Sequence, residues 1–154
     1  MSLFYSDDDA IARLGTAFLD LSLPKAEWTH AAHFATTLWL LGARPDIVPE
    51  RDMPALIRAY NASVGGVNDD HNGYHETITQ ASIGAARAFL AERPAGEALH
   101  ETVDALMAGP LGISGWPLVH WSRERLFSVA ARRDWVRPDL APLPFAEAEP
   151  FQAD

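Results

Sequence analysis

One stretch, residues 28–41, restricts the folds open to this chain more than any other segment. Its sequence, WTHAAHFATTLWLL, is apolar on almost every side of a helix and carries two histidines, His30 and His33, near its start. A helix with so little polar surface is stable only when other helices cover it, because none of its faces suits contact with water. We therefore expect a buried central helix over residues 29–41.

The rest of the sequence also predicts helices. Apolar residues recur at helical spacing, and no segment alternates as a half-buried strand does. Pro54 suits a first helical position, and several prolines from Pro138 onward oppose any regular element. The expected helices cover residues 10–21, 29–41, 54–64, 74–91, 97–107, 122–127 and 128–135. The sequence thus predicts an all-α fold: one domain, residues 1–154, with five to seven helices around the central one and an irregular, extended tail over residues 136–154.

Composition excludes several functional classes. The chain has 154 residues and no cysteine, which removes disulfides, thiolate catalysis and cysteine-ligated zinc. A net charge of −9 opposes binding to nucleic acid, whose phosphates require a basic surface. The apolar stretch is shorter than the roughly 20 residues of a membrane span, and the first nine residues lack the features of a secretory signal. We expect a cytoplasmic protein without a nucleic-acid or membrane partner; its oligomeric state is open, a homodimer included.

The two histidines of the central helix form the candidate site. His30 and His33 are three positions apart, so their side chains leave one helix face with Cβ atoms about 5–6 Å apart. Two inward ligands at this spacing can share one metal ion. His75, near the start of another helix, is a third candidate ligand for a divalent metal such as Zn, Ni or Fe. Its neighbours Glu76, as fourth ligand or general base, and Tyr74, as hydrogen-bond donor, are candidate catalytic residues.

The same histidines also fit two roles that need no metal ion. An HxxH pair alone is common, and this one lacks the HExxH pattern of zinc hydrolases. The histidines could be buried polar residues bonded to one another or to carbonyls, or they could line a metal-free pocket. Whichever holds, we expect His75 within contact range of His30 or His33, since buried polar groups need partners. We also expect His33 to be among the most enclosed of the six histidines.

Other residues are weaker candidates for a functional site. The acids Asp69 and Asp70 and His71, in the glycine-rich break before His75, could add ligands. His120 stands between apolar residues and is expected to pack. The five tryptophans are expected to fill the core.

Several sequence blocks resemble a family of small uncharacterised bacterial proteins, over most of residues 21–143. His71 and His120 lie outside the pattern of that family. The resemblance implies kinship and no particular activity, although its blocks contain the three histidines of the candidate site. The blocks are LPKAEWTHAAH at 23–33, YN at 60–61, GYHETIT at 73–79 and SRERLFS at 122–128.

Two functional hypotheses follow from the sequence. In the first, the protein is an enzyme, or resembles one, with a histidine-rich metal or acid–base site between the central helix and the 74–91 helix. In the second, it is a non-catalytic helical module that binds a small-molecule ligand or a partner protein, and the histidines are structural.

Overall fold

Seven α-helices form the fold in the computed structural model, which describes residues 3–145, and this part of the chain contains no strand. The fold is therefore all-α, as predicted. Three short 3-10 helices, Lys25–Glu27, Pro110–Gly112 and Trp116–Val119, connect them. The α-helices are α1 (Asp8–Leu19), α2 (His30–Ala43), α3 (Pro49–Ser63), α4 (Glu76–Ala91), α5 (Leu99–Ala108), α6 (Arg123–Leu126) and α7 (Val129–Arg133).

Helix α2 is the predicted central helix. The Thr29 hydroxyl caps it by accepting a hydrogen bond from the Ala32 amide (3.2 Å). Phe34 and Leu38 are fully buried, and α1, α3, α4 and α5 pack around the helix. The apolar character of α2 on all sides is thus explained by neighbours on all sides.

Helix α3 begins five residues before the predicted start, and this correction has a physical cause. Pro49, not Pro54, occupies the first helical position, and Pro54 lies inside the helix. An internal proline cannot donate to the carbonyl four residues earlier, here that of Glu50. The Gln80 side chain of α4 donates to this carbonyl instead, at 3.0 Å. The carbonyl is therefore satisfied, and the helix continues through the proline.

The Asn68 side chain makes three hydrogen bonds that order the loop between α3 and α4. The Asn68 carboxamide oxygen accepts from the Asn61 side chain and from the Tyr74 amide, each at 3.0 Å, and its nitrogen donates to the Arg58 carbonyl at 3.0 Å. Gly73 has a positive φ of 78°, and a Cβ there would lie 2.5 Å from the Asn68 oxygen. The glycine-rich break is therefore an ordered loop that fixes where α4 begins.

The segment after α7 is irregular, as predicted, but it is bonded to the body. The buried Thr77 hydroxyl donates to the Asp134 carbonyl (2.8 Å), and the Trp121 indole donates to the Val136 carbonyl (3.0 Å). The Leu140 amide donates to the His120 carbonyl (2.9 Å). Residues 146–154 of the predicted tail lie outside the described residues.

None of the helices in residues 3–145 combines the length and apolar character needed to cross a membrane. Of the five tryptophans, Trp116 and Trp121 are buried, whereas the other three are half-buried at the edge of the core. The expectation that the tryptophans fill the core is therefore confirmed for Trp116 and Trp121, and the other three only pack against the core.

Candidate ligand pocket

A pocket of about 630 Å³ opens between α2, α3, α4 and the segment that follows α5. This volume falls within the usual range for small-molecule sites. Three of the predicted histidines and Tyr74 contribute to its wall. The apolar part of the lining includes Trp28, Phe34, Met53, Ile57, Ile78, Ile83 and Trp116, and the polar part includes Lys25, His30, His33, Asn61, Asn72, Tyr74, His75, Thr79, Ser82 and Ser114.

His33 presents its imidazole to the open pocket. The ring stacks on Trp28, with centroids 4.0 Å apart, and more than a third of the residue is accessible. The prediction that His33 is among the most enclosed histidines is therefore wrong, because the pocket opens over it. Protein atoms on its other sides disfavour the charged form, and together with repulsion from His30 they lower the pKa of His33 to about 4. Within residues 3–145 its ring nitrogens make no hydrogen bond, so this neutral ring can accept or donate one to a ligand.

His30 is turned toward the segment after α5. Its Nε2 donates to the Leu111 carbonyl at 2.7 Å, and its ring meets Phe34 edge to face at 5.3 Å. The hydrogen bond ties the first turn of α2 to the segment that closes one side of the pocket. The Nε2 atom of His30 is thus engaged in a hydrogen bond within the protein.

His75 is the most enclosed of the site histidines, with 8% of its surface exposed. It is the N-cap of α4: its Nδ1 accepts from the Ile78 amide at 3.1 Å, and its Nε2 donates to the Leu126 carbonyl at 2.7 Å. Burial lowers the pKa of His75, despite an opposing contribution from its bond to Leu126. With Nδ1 accepting and Nε2–H donating, this neutral ring has no lone pair left for a metal ion.

Tyr74 and Glu76 bond to each other. The Tyr74 hydroxyl donates to the Glu76 carboxylate, and Gln80 donates to the same carboxylate oxygen at 3.3 Å. Burial and the neighbouring carboxylate raise the pKa of Tyr74, so the phenol stays protonated. The Arg58 guanidinium covers the phenol ring at 4.4 Å. Of the two residues predicted to be catalytic, Tyr74 lines the pocket with its hydroxyl engaged and Glu76 is outside the lining.

Asp69 and Asp70, the loop acids that could have added metal ligands, bond to other groups of the protein instead. Asp69 accepts from the amides of His71 and Asn72 (2.9 and 2.8 Å), and Asp70 forms a two-point ion pair with Arg133 at 2.7 Å. In the part of the chain that the structure describes, no three His, Asp or Glu side chains come together as a metal site. His30, His33 and His75 therefore share one pocket but do not form the predicted ligand set.

Sequence reasoning missed the aromatic wall and most of the polar residues of the lining, Lys25 and Asn61 among them. Lys25 and Asn61 have no motif, and Trp28 was assigned to the core because large aromatic residues are usually buried. Two of the blocks named above contain these residues: residues 23–33, in which Lys25, Trp28 and His33 stand close together, and residues 60–61, which include Asn61.

The lowered pKa of His33 predicts a pH effect on stability. His33 in the unfolded chain takes up a proton near its ordinary pKa of 6.5, but in the folded protein only near 4. The unfolded state therefore binds more protons between these values, and stability falls as the pH is lowered from 6.5 toward 4. Urea unfolding across this range should show a steeper loss for the wild type than for His33→Ala. Equal pH dependence of the two proteins would contradict the assignment.

No family model, curated protein or solved structure matches this chain.

Proposed function

We propose that this protein binds a small, largely apolar organic molecule in the pocket between α2, α3 and α4. The observation that carries the proposal is the pocket itself: a volume of about 630 Å³ whose wall combines aromatic and aliphatic side chains with polar ones. Most small-molecule sites have this composition, in which apolar surface supplies affinity and polar groups fix orientation. The location that we propose is the cytoplasm.

His33 is the group that orients the ligand. Its stacking on Trp28 holds the ring in place, and its nitrogens make no hydrogen bond within residues 3–145. Binding through this neutral imidazole requires no metal ion, and His75 keeps both of its ring nitrogens in bonds to the backbone.

An acid–base enzyme is the second candidate function, and the same histidine supports it. His33 is neutral at pH 7 and open to the pocket, as a general base must be. Efficient general bases have a pKa near the working pH, however, and a pKa of about 4 makes His33 a weak base. This favours binding over catalysis.

A neutral fluorescent probe tests the binding function. N-phenyl-1-naphthylamine gains fluorescence in apolar pockets, so we expect a saturable increase with the wild type. Ser82→Phe places a ring inside the pocket and should weaken binding at least tenfold. Ala62→Phe adds the same ring at an exposed position of α3 outside the lining and should leave binding unchanged. No saturable signal, or equal loss in both folded variants, would contradict the proposal.

A further inference from the structure

The charge on the lining of the pocket is that of Lys25. The lining contains one lysine and three histidines, and within residues 3–145 it contains no Asp or Glu. The whole chain has the opposite balance, with 21 acidic residues against 12 Lys and Arg. The lining therefore places one positive charge, that of Lys25, beside a ligand in an otherwise acidic protein, and this charge opposes a cationic ligand.

Most of the polar groups in the lining already bond to the protein. His30 and His75 donate to backbone carbonyls, and the amide nitrogens of Asn61 and Asn72 donate to Asn68 and Asp69. The hydroxyl groups in the lining carry no charge and do not select one. This leaves the ammonium group of Lys25 and the imidazole of His33 for a charged part of the ligand.

Lys25 and His33 stand on either side of Trp28 in the block of residues 23–33, and all three line the pocket. The Trp28 amide donates to the Lys25 carbonyl at 3.1 Å, and the Trp28 ring lies 4.0 Å from the His33 ring. The acid nearest in sequence, Glu27, does not line the pocket. Its charge acts on the phenols of Tyr5 and Tyr60, whose pKa values are raised chiefly by burial and further by Glu27. The two groups that remain for a charged part of the ligand therefore belong to residues that both contact Trp28, one through its backbone and one through its ring.

We infer that the ligand is a monocarboxylic acid with an apolar body, its carboxylate bound by Lys25 and His33 beside Trp28. This inference rests on the proposed function and names its ligand class. A carboxylate accepts charge-assisted hydrogen bonds from an ammonium group and a further bond from an imidazole N–H. One lysine beside a neutral imidazole balances a single negative charge, which favours a monoanion over a phosphate dianion.

Matched sets of probes test the charge preference. Isothermal titration calorimetry at pH 7 would compare phenylacetate, 4-phenylbutyrate and octanoate with the amide and the amine of the same carbon skeleton. For at least one skeleton, we expect the wild type to bind the acid at least tenfold more tightly than the amide, and the amine more weakly than the amide. Lys25→Met should reduce the preference for acid over amide to less than threefold. Lys25→Arg should retain the preference, and His71→Ala, an exposed histidine outside the pocket, should match the wild type.

The outcomes separate this inference from the proposed function. If N-phenyl-1-naphthylamine binds and Ser82→Phe blocks it, but amides or amines bind as well as acids for every skeleton, the carboxylate inference fails and the pocket function stands. If the acids are preferred equally by the wild type and Lys25→Met, the assignment of Lys25 is overturned. If neither the neutral probe nor any member of the sets binds, the proposed function fails as well.

Discussion

Replacing His75 with alanine is expected to lower the free energy of unfolding by about 3 kcal/mol, as the sum of two lost interactions. The first is the N-cap of α4, since Nδ1 accepts from the Ile78 amide, and such a cap contributes about 1 kcal/mol. The second is the bond from Nε2 to the Leu126 carbonyl, whose buried oxygen would lose its partner at a cost of about 1–3 kcal/mol. Urea unfolding followed by circular dichroism measures the change.

Two further variants identify the structural role of His75. Asparagine is a good N-cap, so His75→Asn should recover about 1 kcal/mol of the loss while Leu126 stays unpaired. His71→Ala removes an exposed histidine and should change stability by less than about 0.5 kcal/mol. Each measurement is repeated with EDTA and with added Zn²⁺. A gain in stability with Zn²⁺ that wild type shows and His75→Ala lacks would contradict the structural role, because it would identify His75 as a metal ligand.

The central part of the fold was predictable because one physical requirement determines it. A segment that is apolar on all sides has to be covered on all sides, and α2 is covered by four helices. The last two helices were predicted as well, over residues 122–127 and 128–135. Ser122 and Ser128 cap them by accepting from the amides three residues later. The start of α3 could not be predicted from the local sequence. The helix continues through Pro54 because Gln80 donates to the Glu50 carbonyl, and Gln80 is 30 residues away in the chain.

The sequence indicated which histidines lie near one another, but it did not indicate the role of each histidine. The sequence places His30, His33 and His75 on two helices that meet, and the three do line one pocket. A histidine at the start of a helix can be a ligand or a cap, and only the positions of Ile78 and Leu126 decide between these roles for His75. Both contacts depend on tertiary structure, so no local pattern could reveal them.

A second large effect is expected at Gly112, in the short 3-10 helix that follows α5. A Cβ atom at this residue would lie 1.9 Å from the carbonyl oxygen of Met107 and 2.7 Å from its carbonyl carbon. These are backbone atoms of the last turn of α5, so they cannot rotate away as a side chain would. We expect Gly112→Ala to lower the free energy of unfolding by about 3 kcal/mol, at the upper end of the usual cost of overpacking.

Gly109→Ala is the matched control, three residues earlier in the same connection. Its added Cβ would have its nearest neighbour, the Leu106 carbonyl oxygen, at 3.7 Å, which is ordinary contact, so we expect a change of less than about 0.5 kcal/mol. Equal urea midpoints for the two variants would contradict the steric argument.

The same substitution also connects the fold to the pocket. Gly112 lies between Leu111, whose carbonyl accepts from His30, and Ser114 and Trp116, which form part of the lining. A shift of this segment away from Met107 should therefore displace one wall of the pocket. We expect folded Gly112→Ala to bind N-phenyl-1-naphthylamine more weakly than Gly109→Ala does. Unchanged affinity in a destabilised Gly112→Ala would show that this segment stabilises the fold without shaping the site.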